Sequence, residues 1–274
     1  MRTLNAALQD AEDAVGKVDA RVLVAHLLGV DRAYLATHPM RVLTETEDAR
    51  IDFVVAQREL GQPVAYLMQK REFYGRDFAV DAAVLIPRPE TETLVEAVLA
   101  RLPDARACVA DLGTGSGAIA VTIACERPEA GVVAVEANAA ALAVARANAE
   151  RLAPGRVEFL EGNWYAPLGE RRFDVIASNP PYVAAADPHL GRGDLRFEPP
   201  GALTDGSADG LDSIRAIVSG AGRHLNRGGW LLLEHGYDQA AAVRALLERA
   251  PFTDLVSIPD LAGIARVAGG RIAP

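Results

Sequence analysis

The chain reads as an α/β protein: a doubly wound, mostly parallel sheet preceded by a small all-helical domain. Three observations predict this. From about residue 105 onward, short apolar strand-like runs alternate with helical stretches, a pattern that builds a largely parallel sheet with helices on both faces. The first such strand runs into a glycine-rich turn and then a helix, the opening βα unit of a nucleotide-type site. Residues 1–72, by contrast, carry helical spacing throughout and no strand-like run.

Taken in order, Asp19 to Leu28 holds a dense apolar stripe and stops at Gly29. Asp31 is placed to cap the next helix, which carries Tyr34 and Leu35. Thr44-x-x-Glu47 is a capping-box pattern, followed by Ile51, Val54 and Val55 at helical spacing, with Gly61 and Pro63 as the stop. Residues 73–90 read as a connector, in which Glu72–Tyr74 and Asp77–Val80 flank Gly75-Arg76 as a hairpin. Pro87 and Pro89 then set up a helix from Glu90 to about Leu102, with Glu90 and Glu92 favouring its positive end. Residues 91–274 form the main α/β domain, including a long loop over 183–210 that reads as part of a substrate groove.

Ala107–Ala110 is an apolar strand; Asp111-Leu112-Gly113-Thr114-Gly115-Ser116-Gly117 follows it, and Ala118–Ala124 reads as the helix. Glycine supplies the positive φ such a turn needs and lets a ligand approach the backbone. The next strand, Val132–Val135, ends in Glu136, about 20 residues past the first glycine, where an acid accepts hydrogen bonds from ribose hydroxyls. Asp111 stands where a carboxylate meets a cationic group such as an ammonium. A third strand, Val157–Leu160, leads to Asn163-Trp164-Tyr165, an aromatic cluster suited to flank an adenine. Gly113-x-Gly115-x-x-Ala118 alone also fits the loose dinucleotide fingerprint, so a nicotinamide oxidoreductase stands as one reading at this point.

The strand Phe173–Ser178 ends in Asn179-Pro180-Pro181-Tyr182. Two prolines remove the neighbouring N–H donors, leaving the carbonyls of Asn179 and Pro180 as free acceptors beside the Asn179 side-chain oxygen. Tyr182 offers a flat face. The set suits a planar group bearing an NH2, whose two hydrogens the acceptors take while the ring covers its plane. Alone, the same four residues also read as a turn that ends a strand.

The glycine turn, the strand-ending acid, Asn163-Trp164-Tyr165 and Asn179–Tyr182 stand in that order on successive strand ends. This arrangement resembles the S-adenosylmethionine-dependent methyltransferases with the Rossmann-like class I fold. More narrowly, it is similar to the release-factor glutamine methyltransferases, the HemK/PrmC family. The resemblance runs over nearly the whole chain and includes Arg71–Gly75, Leu85–Glu92, Arg196–Pro199 and Leu231–Gly236. It implies an enzyme that transfers a methyl group to the side-chain amide nitrogen of the glutamine in the Gly-Gly-Gln motif of peptide-chain release factors, yielding S-adenosylhomocysteine. On this resemblance Asn179 and Pro180 are catalytic, and Asn179 to Tyr182 bind substrate. Asp111, Gly113, Thr114, Gly115, Ser116, Gly117, Glu136, Asn163, Trp164 and Asn179 bind the cofactor. The N-terminal helices dock the substrate, the segment from Leu85 closes over the methionine end of the cofactor, and an antiparallel hairpin ends the sheet. Three positions depart from the family pattern: Glu136 replaces the usual Asp, Asn163 stands where Asp often precedes the Trp, and Ile264 stands where a polar residue is common.

Composition narrows the classes. The formal charge is −9 and the pI about 5.1, which argues against a broad nucleic-acid surface. Cys108 and Cys125 read as small buried hydrophobes of a reducing compartment. The five histidines are scattered without zinc spacing, and His235 reads as locally bonded at a strand end. The start of the chain lacks the apolar core of a signal peptide, and no run approaches the roughly 18 apolar residues of a membrane span. A cytoplasmic monomer is expected. Methylation of a nucleobase amino group in DNA or RNA is the alternative that the Asn-Pro-Pro-Tyr turn leaves open; a non-catalytic docking module is another, against which the intact Asn179 and Pro180 argue.

Overall fold

A computed structural model describes residues 2–103 and 106–273. The chain divides into two units. One comprises residues 1–70 together with 192–197; the other comprises 71–191 and 198–274.

The first unit is built from α1 (Leu4–Val15), α2 (Lys17–Leu28), α3 (Arg32–Thr37), α4 (Glu45–Glu59) and α5 (Val64–Met68). The stops and starts follow the sequence signals. Gly29 ends α2 in the left-handed conformation, Asp31 accepts the Tyr34 amide at 2.7 Å, and Thr44 with Glu47 forms a complete capping box. Leu4, Ala7, Leu8, Ala20, Val24, Leu35, Leu43 and Ile51 make its core. Arg58 bonds Asp19 at 2.8 Å and, from the later segment, Asp194 at 3.0 Å. Among the described residues of this unit, Val18, Met40, Val42, Phe53 and Leu60 are large apolar side chains that stay exposed.

The second unit opens with a hairpin, β1 (Lys70–Phe73) and β2 (Arg76–Ala79). Its turn is Tyr74-Gly75, with φ of 51° and 72°, not Gly75-Arg76 as the sequence suggested. With positive φ at both central residues the turn is of the I′ kind, whose twist matches that of the strands, and here a tyrosine takes the first position. Phe73 and Phe78 meet edge to face at 6.0 Å and anchor the hairpin in the core. A 3-10 turn at Pro89–Thr91 leads into α6 (Glu92–Leu99). The Glu92 carboxylate accepts the Tyr74 amide at 2.9 Å, so this acid also serves the hairpin turn.

Then come β3 (Cys108–Leu112), α7 (Ala118–Glu126), β4 (Gly131–Glu136), α8 (Ala139–Leu152), β5 (Val157–Glu161) and β6 (Phe173–Ser178). After the loop come α9 (Pro200–Leu203), α10 (Asp212–His224), β7 (Leu225–Glu234), α11 (Ala240–Glu248), β8 (Phe252–Pro259) and β9 (Ala265–Ile272). The sheet order is β5-β4-β3-β6-β7-β9-β8. β3 to β7 pair in parallel, while β9 joins β7 and β8 antiparallel, so the expected terminal hairpin is present.

Alternation along the strands sorts the core into two layers. Val109, Ala134, Val175, Ala177 and Leu232 face α6 and α7. Ala110, Leu112, Val135, Ile176, Leu231 and Leu233 face α10 and α11. Both faces are therefore covered, which is why these strands read as continuous apolar runs. The sheet winds outward in opposite directions from β3 and β6, and the crevice at the carboxyl ends of those two strands is the topological switch point. Cys108 departs from the sequence reading: as the first residue of β3 it is exposed, and Cys125 is half-buried. Among the described residues no helix is long and apolar enough to cross a membrane.

Candidate functional site

A cavity of about 610 Å³ opens at this switch point. Gly113, Thr114, Gly115, Ser116, Glu136, Asn163, Trp164 and Asn179 line it together, although the sequence scatters them over four strand ends. Asp111, Gly117, Pro180 and Tyr182 are not among its lining residues, whereas Pro181 is.

The turn after β3 is fixed from several sides. The amides of Gly113 and Thr114 both donate to the Val135 carbonyl, at 2.9 and 3.0 Å. Gly113 needs its glycine twice over: φ is 74°, and a Cβ would stand 3.2 Å from the Trp164 ring. Trp164 itself adopts φ of 46°, the left-handed backbone that turns its indole onto the glycine turn. Gly117 works away from the cavity, where a Cβ would press on Val121 and Ala145 between α7 and α8. Asn148, fully buried on α8, donates to the carbonyls of Ser116 and Ala79 at 2.9 Å each and accepts the Ala79 amide at 2.7 Å. One amide thereby ties the glycine turn to the β-hairpin.

Asp111 lies behind the turn. It accepts the Thr114 hydroxyl at 2.5 Å and the Ala120 amide at 3.2 Å, and its other oxygen has no partner. Burial pushes its pKa up to about 7, against the pull of those two donors. The direct meeting with an ammonium expected from sequence is not the geometry here; the carboxyl braces the turn from beneath. Glu136, at the end of β4, accepts the Gly115 amide through one oxygen and the Asn138 amide through the other, each at 2.9 Å.

Asn179, after β6, donates its side-chain N–H to the Thr91 hydroxyl at 3.2 Å. Tyr182 turns its ring toward the layer under α10, and its hydroxyl donates to Glu234 at 3.3 Å. Its ring therefore does not cover the cavity as the sequence reading had it. Burial, and the nearby Glu234 charge, raise the Tyr182 pKa. Its carbonyl is held by Gln239, which also binds the Asp209 carbonyl and the Gly236 amide. Gly210 passes so close that a Cβ would stand 2.1 Å from the Tyr182 oxygen. His235 is fully buried and bonds the Gly236 carbonyl locally at 2.8 Å, as a strand-end histidine.

Two further segments named in the sequence reading, the stretch from Leu85 and the end of the loop over 183–210, contribute to one lining. Val84, Leu85, Pro87, Arg88 and Thr91 form one side of it; Pro199, Gly201, Ala202 and Asp205 form the other. Buried Glu198 joins them by accepting the Ile86 amide at 3.0 Å and the Arg88 guanidinium. The signal was present as two motif-like stretches, Leu85–Glu92 and Arg196–Pro199, but nothing in the sequence showed that they meet. The long segment over 183–210 is also less irregular than expected: it contains 3-10 turns at Pro188–Gly191 and Gly193–Phe197 and the short α9. Among the described residues no cluster of His, Cys, Asp and Glu is arranged to hold a metal.

Comparison with known proteins bears on the fold and the family. Residues 89–191 match the methyltransferase small domain family, and residues 1–68 match the PrmC N-terminal domain family. A methyltransferase from Pyrococcus furiosus superposes with a TM-score of 0.56 at 19% identity, covering 84% of this chain and all of that one. A Thermus thermophilus 16S rRNA N2 methyltransferase, solved with AdoMet and guanosine, gives 0.52 at 24% identity over 74% of this chain and 49% of that one. Both likenesses show the fold. The sequence relatives are far nearer. The release factor glutamine methyltransferase of Xylella fastidiosa is 52% identical over 97% of each chain. That of Burkholderia pseudomallei is 54% identical over 93% of this chain and 92% of its own. On identity and coverage of this order, the chain belongs to the release factor glutamine methyltransferase family.

Proposed function

We propose that the cavity binds S-adenosylmethionine and that the enzyme methylates the side-chain amide nitrogen of the Gly-Gly-Gln glutamine of peptide-chain release factors. The observation that carries this reading is the orientation of Asn179. Its nitrogen is committed to Thr91, which leaves its oxygen as an acceptor on a cavity that also holds a strand-end carboxylate and an indole.

The residues present fit the cofactor. Glu136 offers a carboxylate for ribose hydroxyls, Trp164 an aromatic face for an adenine, and the turn over Gly113–Ser116 a close backbone approach. The extra methylene of Glu136 lets it reach the Gly115 amide, and each of its oxygens keeps a lone pair for a further donor. Asn163 brings an amide in place of a carboxylate. When bound, the cofactor supplies an electrophilic sulfonium methyl.

An amide nitrogen is a poor nucleophile because its lone pair is delocalised. Asn179 Oδ1, on the cavity, accepts one N–H of the glutamine, aims the nitrogen and stabilises the positive charge that grows on it; the carbonyl of the adjoining Pro180, outside the cavity lining, is the acceptor proposed for the second N–H. Orientation of this kind contributes about 7–11 kcal/mol in favourable cases. The nitrogen releases its proton to water once the new N–C bond has formed. The helical unit docks another part of the release factor, a role its exposed Phe53 and Leu60 suit: seven residues apart, they lie on one face of α4 and its cap. We further propose a cytoplasmic monomer that binds no nucleic acid.

The test is intact mass and fragmentation of a release factor incubated with the enzyme and S-adenosylmethionine. A gain of one methyl, about 14 Da, on the Gly-Gly-Gln glutamine is expected. A bound cofactor with no gain on the factor would overturn the substrate assignment and turn the search to nucleobase amino groups.

A further inference from the structure

Gln239 stands at the N-cap of α11, shortly after the end of β7, and lies outside the cavity lining. Its side chain makes no capping bond to its own helix. Its oxygen instead accepts the Gly236 amide at 2.8 Å, and its nitrogen donates to the Tyr182 carbonyl at 2.9 Å and to the Asp209 carbonyl at 3.0 Å. Two carbonyls can only accept and a main-chain N–H can only donate, so these partners allow one orientation of the amide and use both its hydrogens.

The Tyr182 carbonyl closes the Asn-Pro-Pro-Tyr turn. Side chains hold that turn at three points: the Asn179 amide on Thr91 at 3.2 Å, the Tyr182 hydroxyl on Glu234 at 3.3 Å, and the bond from Gln239. The last is the shortest of the three, and of the three it alone grips the main chain. Pro180 and Pro181 have fixed φ and no N–H, so the turn is stiff and an anchor at its final carbonyl directs the whole of it. The second carbonyl, of Asp209, belongs to the returning arm of the loop that follows. The Val183 and Ala185 amides donate to the carbonyls of Leu203 and Ser207, each at 2.9 Å. Gly210, with φ of 67°, passes where a Cβ would stand 2.1 Å from the Tyr182 oxygen. The two arms thus run side by side, Gln239 pins them at their root, and Gly201, Ala202 and Asp205 of the cavity lining lie between the pinned points.

We propose that Gln239 is a positioning residue for methyl transfer: it sets the Asn-Pro-Pro-Tyr turn against the loop that walls the cavity, and so fixes where the Asn179 oxygen and the Pro180 carbonyl stand for the substrate amide. This rests on the reading in which those two groups accept the hydrogens of the glutamine. The cofactor half of the cavity, with Gly113 to Ser116, Glu136 and Trp164, follows β3, β4 and β5 and makes no bond to Gln239. A small displacement of the turn therefore misaligns the acceptors and leaves the cofactor contacts in place. Glutamate at 239 has the same shape and still accepts the Gly236 amide. As a carboxylate it has no hydrogen for either carbonyl; protonated, it regains one. The Asp238 carboxylate lies beside it over Gly236, and that like charge favours the protonated form. The other titratable groups there are His235, bonded to the Gly236 carbonyl, and the Asp209 carboxylate, paired with Arg215.

The experiment compares Gln239→Met, Gln239→Glu and Asn179→Ala in the full-length enzyme, with release factor as substrate. It reads kcat, KM, cofactor Kd and binding stoichiometry from about pH 6 to about pH 8.5. Gln239→Met keeps the length and loses all three bonds; kcat should fall at least about tenfold, with cofactor Kd within about twofold and full stoichiometry. Gln239→Glu should match it at the alkaline end and recover at least about threefold relative to wild type as pH falls. Wild-type kcat in Gln239→Met would overturn the proposal, and so would a ratio of Gln239→Glu to wild type that stays flat with pH. A cofactor Kd that rises as far as kcat falls would mark a general loosening and overturn it too. An active Gln239→Met beside an inactive Asn179→Ala would overturn this inference alone; an active Asn179→Ala would overturn both it and the proposed reaction. The pH ratio of Gln239→Glu keeps the proposal falsifiable if Gln239→Met fails to fold.

Discussion

The Glu136 carboxylate reaches across from the end of β4 and accepts the Gly115 amide at 2.9 Å. The acid proposed to hold the ribose hydroxyls is thus also a structural partner of the glycine turn. Glu136→Ala should raise the S-adenosylmethionine Kd by about 10- to 100-fold, which corresponds to about 1.4–2.8 kcal/mol. Turnover at saturating cofactor should change little. Titration calorimetry checks the first and steady-state methylation the second; an unchanged Kd would remove Glu136 from the site.

Asn179→Ala removes the acceptor nearest the proposed chemistry and is expected to lower kcat by about 100- to 1000-fold, the range for loss of a single oriented group at a reacting centre. Cofactor Kd should hold within about threefold, because Glu136, Trp164 and the glycine turn are untouched. Single-turnover methylation with labelled cofactor resolves the difference.

Gly113→Ala places a methyl at a φ of 74° and 3.2 Å from the Trp164 ring. The backbone strain alone costs about 1–2 kcal/mol. The displaced indole should weaken cofactor binding beyond that. Gly115→Ala has a similar φ, 56°, but open space around it, and serves as the control. Melting temperatures should drop for strain in both variants and further at position 113, where the indole must also give way.

Arg88→Ala would leave the buried Glu198 carboxylate without its counter-charge, at a cost of about 3 kcal/mol or more. Adding Glu198→Gln should recover part of the loss, because an amide oxygen still accepts the Ile86 amide and no charge is stranded. Urea unfolding of the single and double variants measures this.

The two buried carboxyls also set a pH dependence of stability. Asp111 and Glu234 are each pushed up to about 7 in the folded protein, from ordinary values of 3.8 and 4.5. Between the unfolded and folded values the native state binds more protons than the unfolded one, so their contribution falls as pH rises. The melting temperature of the cofactor-free enzyme should therefore decline from about pH 5 to pH 8, and Asp111→Asn should flatten part of the slope. A rise over that interval would contradict the burial of these acids.

Phe53→Ser on α4 should raise KM for an intact release factor severalfold and leave turnover of a short Gly-Gly-Gln peptide unchanged. Equal effects on both would leave that face without a docking role.

What the sequence disclosed was local chemistry. The capping box at Thr44, the stop at Gly29, the strand-ending Glu136 and the turn at Asn179 are each read within a few residues, because their physics is short-ranged. Strand order follows from the alternation of elements, and with it the meeting of the glycine turn and the Asn-Pro-Pro-Tyr turn at one crevice. Side-chain direction did not follow. Asp111 and Tyr182 stand at the expected positions yet turn away from the cavity, because Thr114 and Glu234 offer them buried partners. The Arg88–Glu198 clasp joins residues 110 positions apart and has no local signature.

Asn148 holds Ala79 and Ser116 wholly through their main-chain atoms. The instruction that fastens the hairpin to the glycine turn is consequently written at one position, not three. Side chains at 79 and 116 are free to drift without loosening the tie, and correlated change among the three positions would not betray it. A screen for tolerated substitutions should find a single intolerant site, remote from the reacting atoms, whose loss loosens the cofactor turn and the hairpin together.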